Sequence, residues 1–399
     1  MIDVDVAIVG AGAAGSAAAA MLGRAGISTA IIDPHSRYPF DFRCEKFDSS
    51  QVLLLRKAGL YDAVARASTC AGELWIALNG CVVDKRPNDQ LNILYDTLVN
   101  ALRAEIPASV RTIIGKVMAV STGPDRQMLR LSSGEEIGAR LVIMSNGLNI
   151  GLRHGLGIGR KILSANHSIS VGFDITPLKT RTFAFPALTY FPENTRERIA
   201  YLTLFPVGSQ MRANLFAYRD FSDPWLARLR DGPEGTLFSA MPGLEKLTGR
   251  FEVSSLARIR PVDLYASESY RQPGIVLVGD AFATSCPAAG TGLNKVLTDV
   301  ERLCNVHIPR WLASEGMGED KIQAFYDDPV KIDSDAQSQA KAFHLRSLST
   351  EEGLSWRARR SAKFVFHRSV GVVRQARKLA KGTLASRPRQ IGSPVNLEN

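Results

Sequence analysis

Cysteine is scarce in this chain of 399 residues. Only Cys44, Cys70, Cys81, Cys286 and Cys304 occur, an odd number with no C-x-x-C pair. That usage excludes a disulfide-stapled scaffold and a cysteine zinc site, and predicts reduced, buried thiols in the cytoplasm. The six histidines are scattered without metal-ligand spacing, so no metal centre is expected. Long apolar runs are missing as well. The one candidate, Val6 to Leu22, has Asp3 and Asp5 where a signal peptide would carry positive charge, and glycines punctuate it. No other stretch reaches spanning length. Acid is absent between Leu354 and Gln390, where eleven Lys and Arg gather. The whole chain carries +10, so the remainder sits near −1. The body is neutral and the tail is basic. At this length two domains, successive or interleaved, are expected.

What is present begins at the N-terminus. Val6–Val9 is an apolar run of strand length, and Gly10, Gly12 and Gly15 follow as G-x-G-x-x-G. Ala13 to Arg24 has helix-forming composition, and Ile27–Ile32 is a second strand ending at Asp33. The glycines have separate jobs: Gly10 permits a sharp turn, Gly12 lets the backbone approach a pyrophosphate, and Gly15 lets helix pack on strand. The helix start, with Ala14 in its first turn, offers free N–H groups and a positive dipole end to phosphate. Asp33, near the expected ~20 residues on, suits ribose hydroxyls. A lone glycine motif is weak, but strand, turn, helix, strand and acid together define a dinucleotide site. The carboxylate favours FAD or NAD over a phosphorylated ribose.

Further along, a Pro-containing loop carries Arg43, placed where a cation can reach the pyrophosphate; an ordinary surface arginine is the alternative. A helix is predicted over Ser49–Lys57, a hairpin over Trp75–Val83 with Asn79-Gly80 as its turn, and an amphipathic helix over Leu91–Ile106. Val110–Val120, Met128–Leu131 and Leu141–Met144 read as strands. From His167 the texture changes: Ile169–Phe173, Thr182–Phe191, Ile199–Phe205 and Met211–Tyr218 are aromatic and β-branched runs between Pro, Asn and Gly turns. They predict a mostly antiparallel sheet without crossover helices, one wall of an apolar pocket. Ile275–Val278 is a further core strand, followed by GDAFATSCPAAGTGLNKVLTDVERL. Gly279-Asp280 ends that strand, Pro287 to Gly292 forms a small-residue loop, and Leu293–Leu303 continues as helix. A second helix start therefore faces an anion, and a reduced flavin with charge on its N1–C2=O edge fits it.

These residues resemble the FAD-dependent aromatic hydroxylase family, the single-chain flavin monooxygenases. The resemblance spans residues 1 to about 305 and rests on GAGAAG with Asp33, on Arg43, and on VLVGDAFATSCPAAGTGLN. It implies an α/β fold: a Rossmann-type FAD-binding domain (1–68, 89–165 and 265–320) interleaved with a mostly antiparallel β-sheet substrate domain (69–88 and 166–264), and a C-terminal helical region with the basic tail (321–399). It implies that Asp280 binds the ribityl chain beside Gly279. Pro287, Ala288, Ala289 and Gly290 would face the flavin ring, with Thr291, Gly292, Leu293 and Asn294 completing the cradle. It implies that Arg43 contacts the phosphate and ribose region. Two departures stand out. The family element D-G-x-x-S-x-x-R reads Asn146-Gly147-Leu148-Asn149-Ile150-Gly151-Leu152-Arg153, and a position that is basic in the family, at about Asn92, is not basic here.

The implied activity is hydroxylation of a hydrophobic aromatic, polyketide-like or quinone-like molecule through a flavin hydroperoxide, with O2 as co-substrate. NADH or NADPH, or a separate flavin or electron-transfer reductase, would supply electrons. The cofactor would carry the chemistry, which accounts for the lack of an evident Ser-His-Asp set or carboxylate pair. An isoprenoid reductase or a halogenase on the same scaffold is the alternative; the W-x-W-x-I-P element of halogenases is absent. The tail, Trp356–Lys381, reads as a basic amphipathic helix with Phe364, Val365, Val372, Val373, Ala376 and Leu379 among its apolar positions. It covers the FAD domain or lies peripherally on an anionic membrane; nucleic acid is not expected.

Overall fold

A computed structural model describes residues 2–385, with side chains through Arg374 apart from those of Lys363 and His367. The side chains of Ala376 and Leu379, and the frayed terminus expected from Ser386, lie outside what it describes. The chain opens as the glycine pattern dictates: β1 (Ile2–Val9), α1 (Ala13–Arg24), β2 (Thr29–Asp33). Next come β3 (Cys44–Phe47), α2 (Ser49–Lys57), α3 (Tyr61–Arg66), β4 (Thr69–Leu78), β5 (Cys81–Leu94) and α4 (Tyr95–Ala104). Asp48 caps α2 with a complete capping box closed by Gln51. Asn79 and Gly80, with φ of 49° and 72°, make the expected hairpin turn.

The helix expected over Leu91–Ile106 begins only at Tyr95. Residues 91–94 pair as strand with β3, and Leu91 and Asn92 also with β4, a tertiary pairing that overrides local helical periodicity. The strand expected over Val110–Val120 divides into β6 (Arg111–Ile114) and β7 (Val117–Ser121). Then follow β8 (Gln127–Leu131), β9 (Glu136–Met144), α5 (Gly151–Gly155) and β10 (Gly159–Pro177). Within Thr182–Phe191 only β11 (Leu188–Phe191) is strand. Two long strands, β12 (Ile199–Val207) and β13 (Gln210–Ala217), come next. Three short helices that composition did not announce then intervene: α6 (Pro224–Asp231), α7 (Pro233–Ala240) and α8 (Leu244–Thr248). The chain ends with β14 (Phe251–Val253), β15 (Arg258–Glu268), β16 (Ile275–Leu277), α9 (Gly292–Arg302), α10 (Ile308–Leu312), α11 (Glu319–Tyr326), α12 (Pro329–Thr350) and α13 (Leu354–Ala385).

Two sheets result. The first has the order β6-β2-β1-β9-β8-β7, with β16 also on β9; β6, β2, β1, β9 and β16 are parallel, and β7 and β8 are antiparallel. Helix α1 buries 11 of its 12 residues against it, which its run of alanines permits. The second has the order β14-β10-β13-β12-β11-β4-β5-β3, with β15 on β10. It is antiparallel apart from the β11–β4 pair, and it reaches into Cys44–Phe47 and Leu94, beyond the segments assigned from sequence. The expectation of five buried thiols fails at Cys70 and Cys81, which are exposed, and at half-buried Cys44; all five are free.

A buried ionic cluster ties the C-terminal helices to the first sheet. Lys331 Nζ on α12 lies 2.8 Å from Asp299 on α9 and 3.2 Å from Asp335, and Lys295 Nζ lies 3.1 Å from Asp335. Asp299 also accepts from the Gly279 N–H at 3.3 Å. Lys331 and Asp299 are each 1% exposed. Removing one member leaves an uncompensated buried charge. Lys331→Met is expected to lower unfolding free energy by about 3–5 kcal/mol, read as a shifted urea midpoint. A change within 0.5 kcal/mol would show that the cluster does not bear on stability.

Candidate cofactor and substrate site

Strand ends and helix starts from both sheets converge on one cavity of about 600 Å³. Gly10 sits at its edge with φ of +98°, a conformation that favours glycine. A Cβ on Gly15 would overlap the Gly10 carbonyl oxygen and the Ser145 hydroxyl, so helix and strand touch through backbone alone. At Gly12 a Cβ would meet nothing within 4 Å, leaving a backbone cradle open to the cavity. Helix α1 has no side-chain cap, so its first N–H groups have no side-chain partner.

Asp33 lines the cavity, but its carboxylate already accepts from the Ala11 N–H at 2.7 Å. It also pairs with Arg103 of α4 at 3.2 Å. Arg103 donates to the Ala11 carbonyl at 2.8 Å as well. Sequence reading missed this arginine, because the contact joins residues 92 apart and has no local signature. Arg43, expected at the phosphate, is held instead by its neighbour: Nε donates to Asp41 at 2.9–3.0 Å, and the guanidinium stacks 3.9 Å over Tyr95. It still lines the cavity. Its charge is already matched.

The far end of the cavity is built by the second glycine stretch. Gly279, Asp280, Pro287, Gly290, Gly292 and Leu293 all line it. Ala288 and Ala289 are buried behind that surface. Thr291 bonds Ser338 at 2.6 Å, and Asn294 bonds Ser50 at 3.2 Å, so these two brace the loop from outside the cavity. Helix α9 is uncapped by any side chain. The Asp280 carbonyl accepts from Tyr265 Oη at 2.5 Å. The altered element 146–153 also converges here. Asn146, Gly147 and Leu148 line the cavity, while Arg153 is turned inward onto the Gly147, Asn149 and Ala281 carbonyls. Arg153 therefore braces the loop and does not face a ligand.

The second sheet supplies the remaining wall through Ser170, Asn214, Phe216 and the segment 260–263. Glu45 on β3 also faces in. Burial pushes its carboxyl up to about 7, against the pull of Arg43 and with the repulsion of Asp280 and Asp41.

FAD fits these residues. The open cradle at Gly12 and two uncapped helix starts present unspent N–H groups to phosphate, and the buried Asn146 Oδ1, with no hydrogen-bond partner, can accept from a ligand hydroxyl or N–H. Fold and cavity thus define an FAD-dependent oxidoreductase. Comparison narrows this further. A family model described as FAD binding domain matches residues 3–307. The chain is 29% identical over 337 residues to 3-demethoxyubiquinol 3-hydroxylase of Escherichia coli, covering 76% of this chain and 79% of the relative. It is 25% identical over 339 residues to ubiquinone hydroxylase UbiL of Rhodospirillum rubrum, covering 79% and 74%. Among solved structures, p-nitrophenol 4-monooxygenase PnpA from Pseudomonas putida aligns with a TM-score of 0.71 at 16% identity, over 95% of this chain and 98% of that one. Halogenase PltM aligns at 0.67 and 16% identity, over 87% and 78%, a likeness of fold alone. The chain belongs to the FAD-dependent aromatic hydroxylase family, as its sequence resemblance implied, and it is a monooxygenase with FAD as cofactor.

The two glycines separate binding from folding. Gly12→Val is expected to melt within a few degrees of the parent yet retain under a tenth of its flavin absorbance. Gly15→Val should lose flavin and thermal stability together. A flavin-replete Gly12→Val protein would show that the cradle is not the cofactor site.

Proposed function

We propose that the protein hydroxylates a hydrophobic phenol- or quinol-like ring. The observation that carries this reading is that the FAD cradle and the second sheet's Ser170, Asn214 and Phe216 line a single cavity. The names of both relatives point to ring hydroxylation on quinone-type molecules. When bound, FAD supplies electron transfer and oxygen activation; the chain binds, orients and excludes water.

In this reading Gly10, Gly12, Ala14 and Gly15 present the start of α1 to the pyrophosphate, with Arg43 nearby as a matched cation. Asp33, oriented by Arg103, takes the adenosine ribose. Gly279 and Asp280 receive the ribityl chain. Pro287 and Gly290 flank the ring, and the start of α9 at Thr291, Gly292, Leu293 and Asn294 offers N–H dipoles to its N1–C2=O edge. Segments 1–68, 89–165 and 265–320 act as the cofactor domain; 69–88 and 166–264 form the substrate wall. NADH or NADPH, acting on this chain directly or through a separate reductase, is the electron donor.

The test begins without oxygen. NADH or NADPH added to the flavin-loaded protein is expected to bleach the visible flavin absorbance. Readmitting O2 with a quinol or phenol substrate should then yield one hydroxylated product per O2 consumed. Bleaching by dithionite alone would assign reduction to a separate reductase. Product formation without O2 uptake would replace hydroxylation with reductase chemistry.

The tail supports a membrane-facing role. Helix α13 leaves Leu354 83%, Val365 60%, Val372 60% and Val373 51% exposed, beside the exposed Arg357, Arg359 and Arg368. It is held to the body where Gly371 packs on the Val83 carbonyl and Arg374 pairs with Asp84. Among the described residues no helix is long and apolar enough to cross a membrane. A basic helix with an apolar face suits the surface of an anionic bilayer. Full-length protein is expected to pellet with phosphatidylserine vesicles at low salt, and the chain ending at Gly353 to stay in the supernatant. Equal pelleting would remove this role.

A further inference from the structure

Glu45 stands in the cofactor cavity without a partner of its own. Among the described residues no hydrogen bond or ion pair holds its carboxyl, whereas Asp33, Asp41 and Asp263 of the same lining are each held. Its place follows from the strand. Glu45 pairs with Ile93 of β5, and alternation along β3 turns it, with Phe47, toward the core that packs on α1. Lys46 turns to the other face, its Nζ 5.1 Å from the Phe205 ring. The ionisable groups facing Glu45 are Arg43 and Cys44 beside it, Asp41 in the preceding loop, Tyr95 at the start of α4 and Asp280 after β16. Arg43 is a permanent cation already matched by Asp41. Against the upward push of burial, Arg43 holds Asp41 below the usual carboxylate range. Burial lifts the Cys44 thiol to about 12 and the Tyr95 hydroxyl far above its ordinary value. The Glu45 carboxyl, at about 7, titrates where these groups do not.

A pyrophosphate entering this cavity brings negative charge toward Glu45 and displaces water from it. Both effects favour the neutral acid. A neutral carboxyl can also donate its O–H to a phosphate oxygen, which a carboxylate cannot.

We propose that Glu45 holds a proton in the FAD complex, so that the cofactor and one proton bind together. The proposal rests on the placement of FAD given above and adds the residue that sets how its affinity depends on pH. The proton comes from solvent and returns there when FAD leaves; no bond to FAD forms. The sign follows from linkage. Below the pKa of the unliganded chain, Glu45 is neutral with or without FAD, and affinity is flat. Above it, binding must recover a proton, and affinity falls by about tenfold per pH unit until Glu45 ionises in the complex as well.

The test uses the full-length chain, stripped of flavin and titrated with FAD from pH 6 to pH 8.5, with binding followed by quenching of flavin fluorescence. The parent's Kd is expected to rise about tenfold or more across that range. Calorimetry in two buffers of different ionisation enthalpy should register about one proton taken up per FAD at pH 8 and almost none at pH 6. Glu45→Gln, a neutral isostere that keeps a donor, should hold its Kd within about twofold over the range and bind FAD about tenfold more tightly than the parent at pH 8.5. Burial pulls the Lys46 amine down to about 8, so Lys46→Met is the control, and it should keep the parent's slope. A parent Kd independent of pH would overturn the proposal. So would a slope that survives in Glu45→Gln, which would assign the proton to Lys46 or to His35, 3.6 Å from Asp33. Weaker FAD binding by Glu45→Gln than by the parent at pH 8.5 would show that the charged carboxylate itself serves binding, and the proposal would fail. In each of these cases FAD that is still lost from Gly12→Val leaves its placement standing. Tight FAD binding that Gly12→Val does not disturb would remove the placement and the proposal together.

Discussion

The contact between Gly10 and Gly15 is the constraint on which the rest of the cofactor half depends. With no side chain at Gly15, the start of α1 rests directly on the turn that ends β1. Ser145, at the end of β9, then bonds both the Val9 and Gly10 carbonyls, at 3.1 and 2.7 Å. Ala11 gives its N–H to Asp33 at the end of β2, and Arg103 of α4 closes the ring by bonding Ala11 and pairing with Asp33. Three strand ends and two helices are fixed around one missing side chain. The dipole of α1 can face the cavity only because that approach is possible.

The second helix start is fixed by different means. Gly279 adopts φ of +61°, and its N–H is held by Asp299, itself matched by Lys331. Charges so deeply buried carry a large desolvation penalty, which their mutual attraction and hydrogen bonds must offset. What the arrangement secures is geometry across distance. Residues 279, 299 and 331 lie on three separate segments, and their network sets α9 and α12 against the end of β16. One half of the cradle is local and glycine-made; the other is long-range and ionic.

That contrast explains what was legible in the sequence. Gly10, Gly12, Gly15 and the helix over Ala13–Arg24 follow from neighbours within a few residues, and α1 occupies that span. The hairpin turn at Asn79-Gly80 and the capped helix at Ser49 are local in the same sense. Secondary structure departs from that reading where distant pairing decides. Leu91–Leu94 has helical periodicity but is claimed by β3 and β4. Arg43 lines the cavity, and Asp41 two residues earlier matches its charge. Arg103 holds Asp33, and Glu45 lines the cavity, through contacts that no spacing reveals. Thr291 and Asn294 match the motif by letter, while their side chains bond Ser338 and Ser50 instead.

The charge balance of the cavity shows why backbone dipoles matter so much here. Its lining includes Asp33, Asp41, Glu45, Asp263 and Asp280 against Arg43, Arg160 and Arg260. Arg103 and Arg43 are committed to Asp33 and Asp41, so neither guanidinium is a free counter-charge for a pyrophosphate. A dianionic group entering this space would meet net repulsion from side chains alone. Two features reduce it. Burial, aided by Asp280 and Asp41 against the pull of Arg43, pushes the Glu45 carboxyl up to about 7, which weakens its hold on a negative charge. The unspent N–H groups at the two uncapped helix starts supply positive potential without adding a mobile cation. In the proposed FAD site anion binding is therefore a property of the backbone, which is why glycines, and not a cluster of lysines and arginines, mark that site in the sequence.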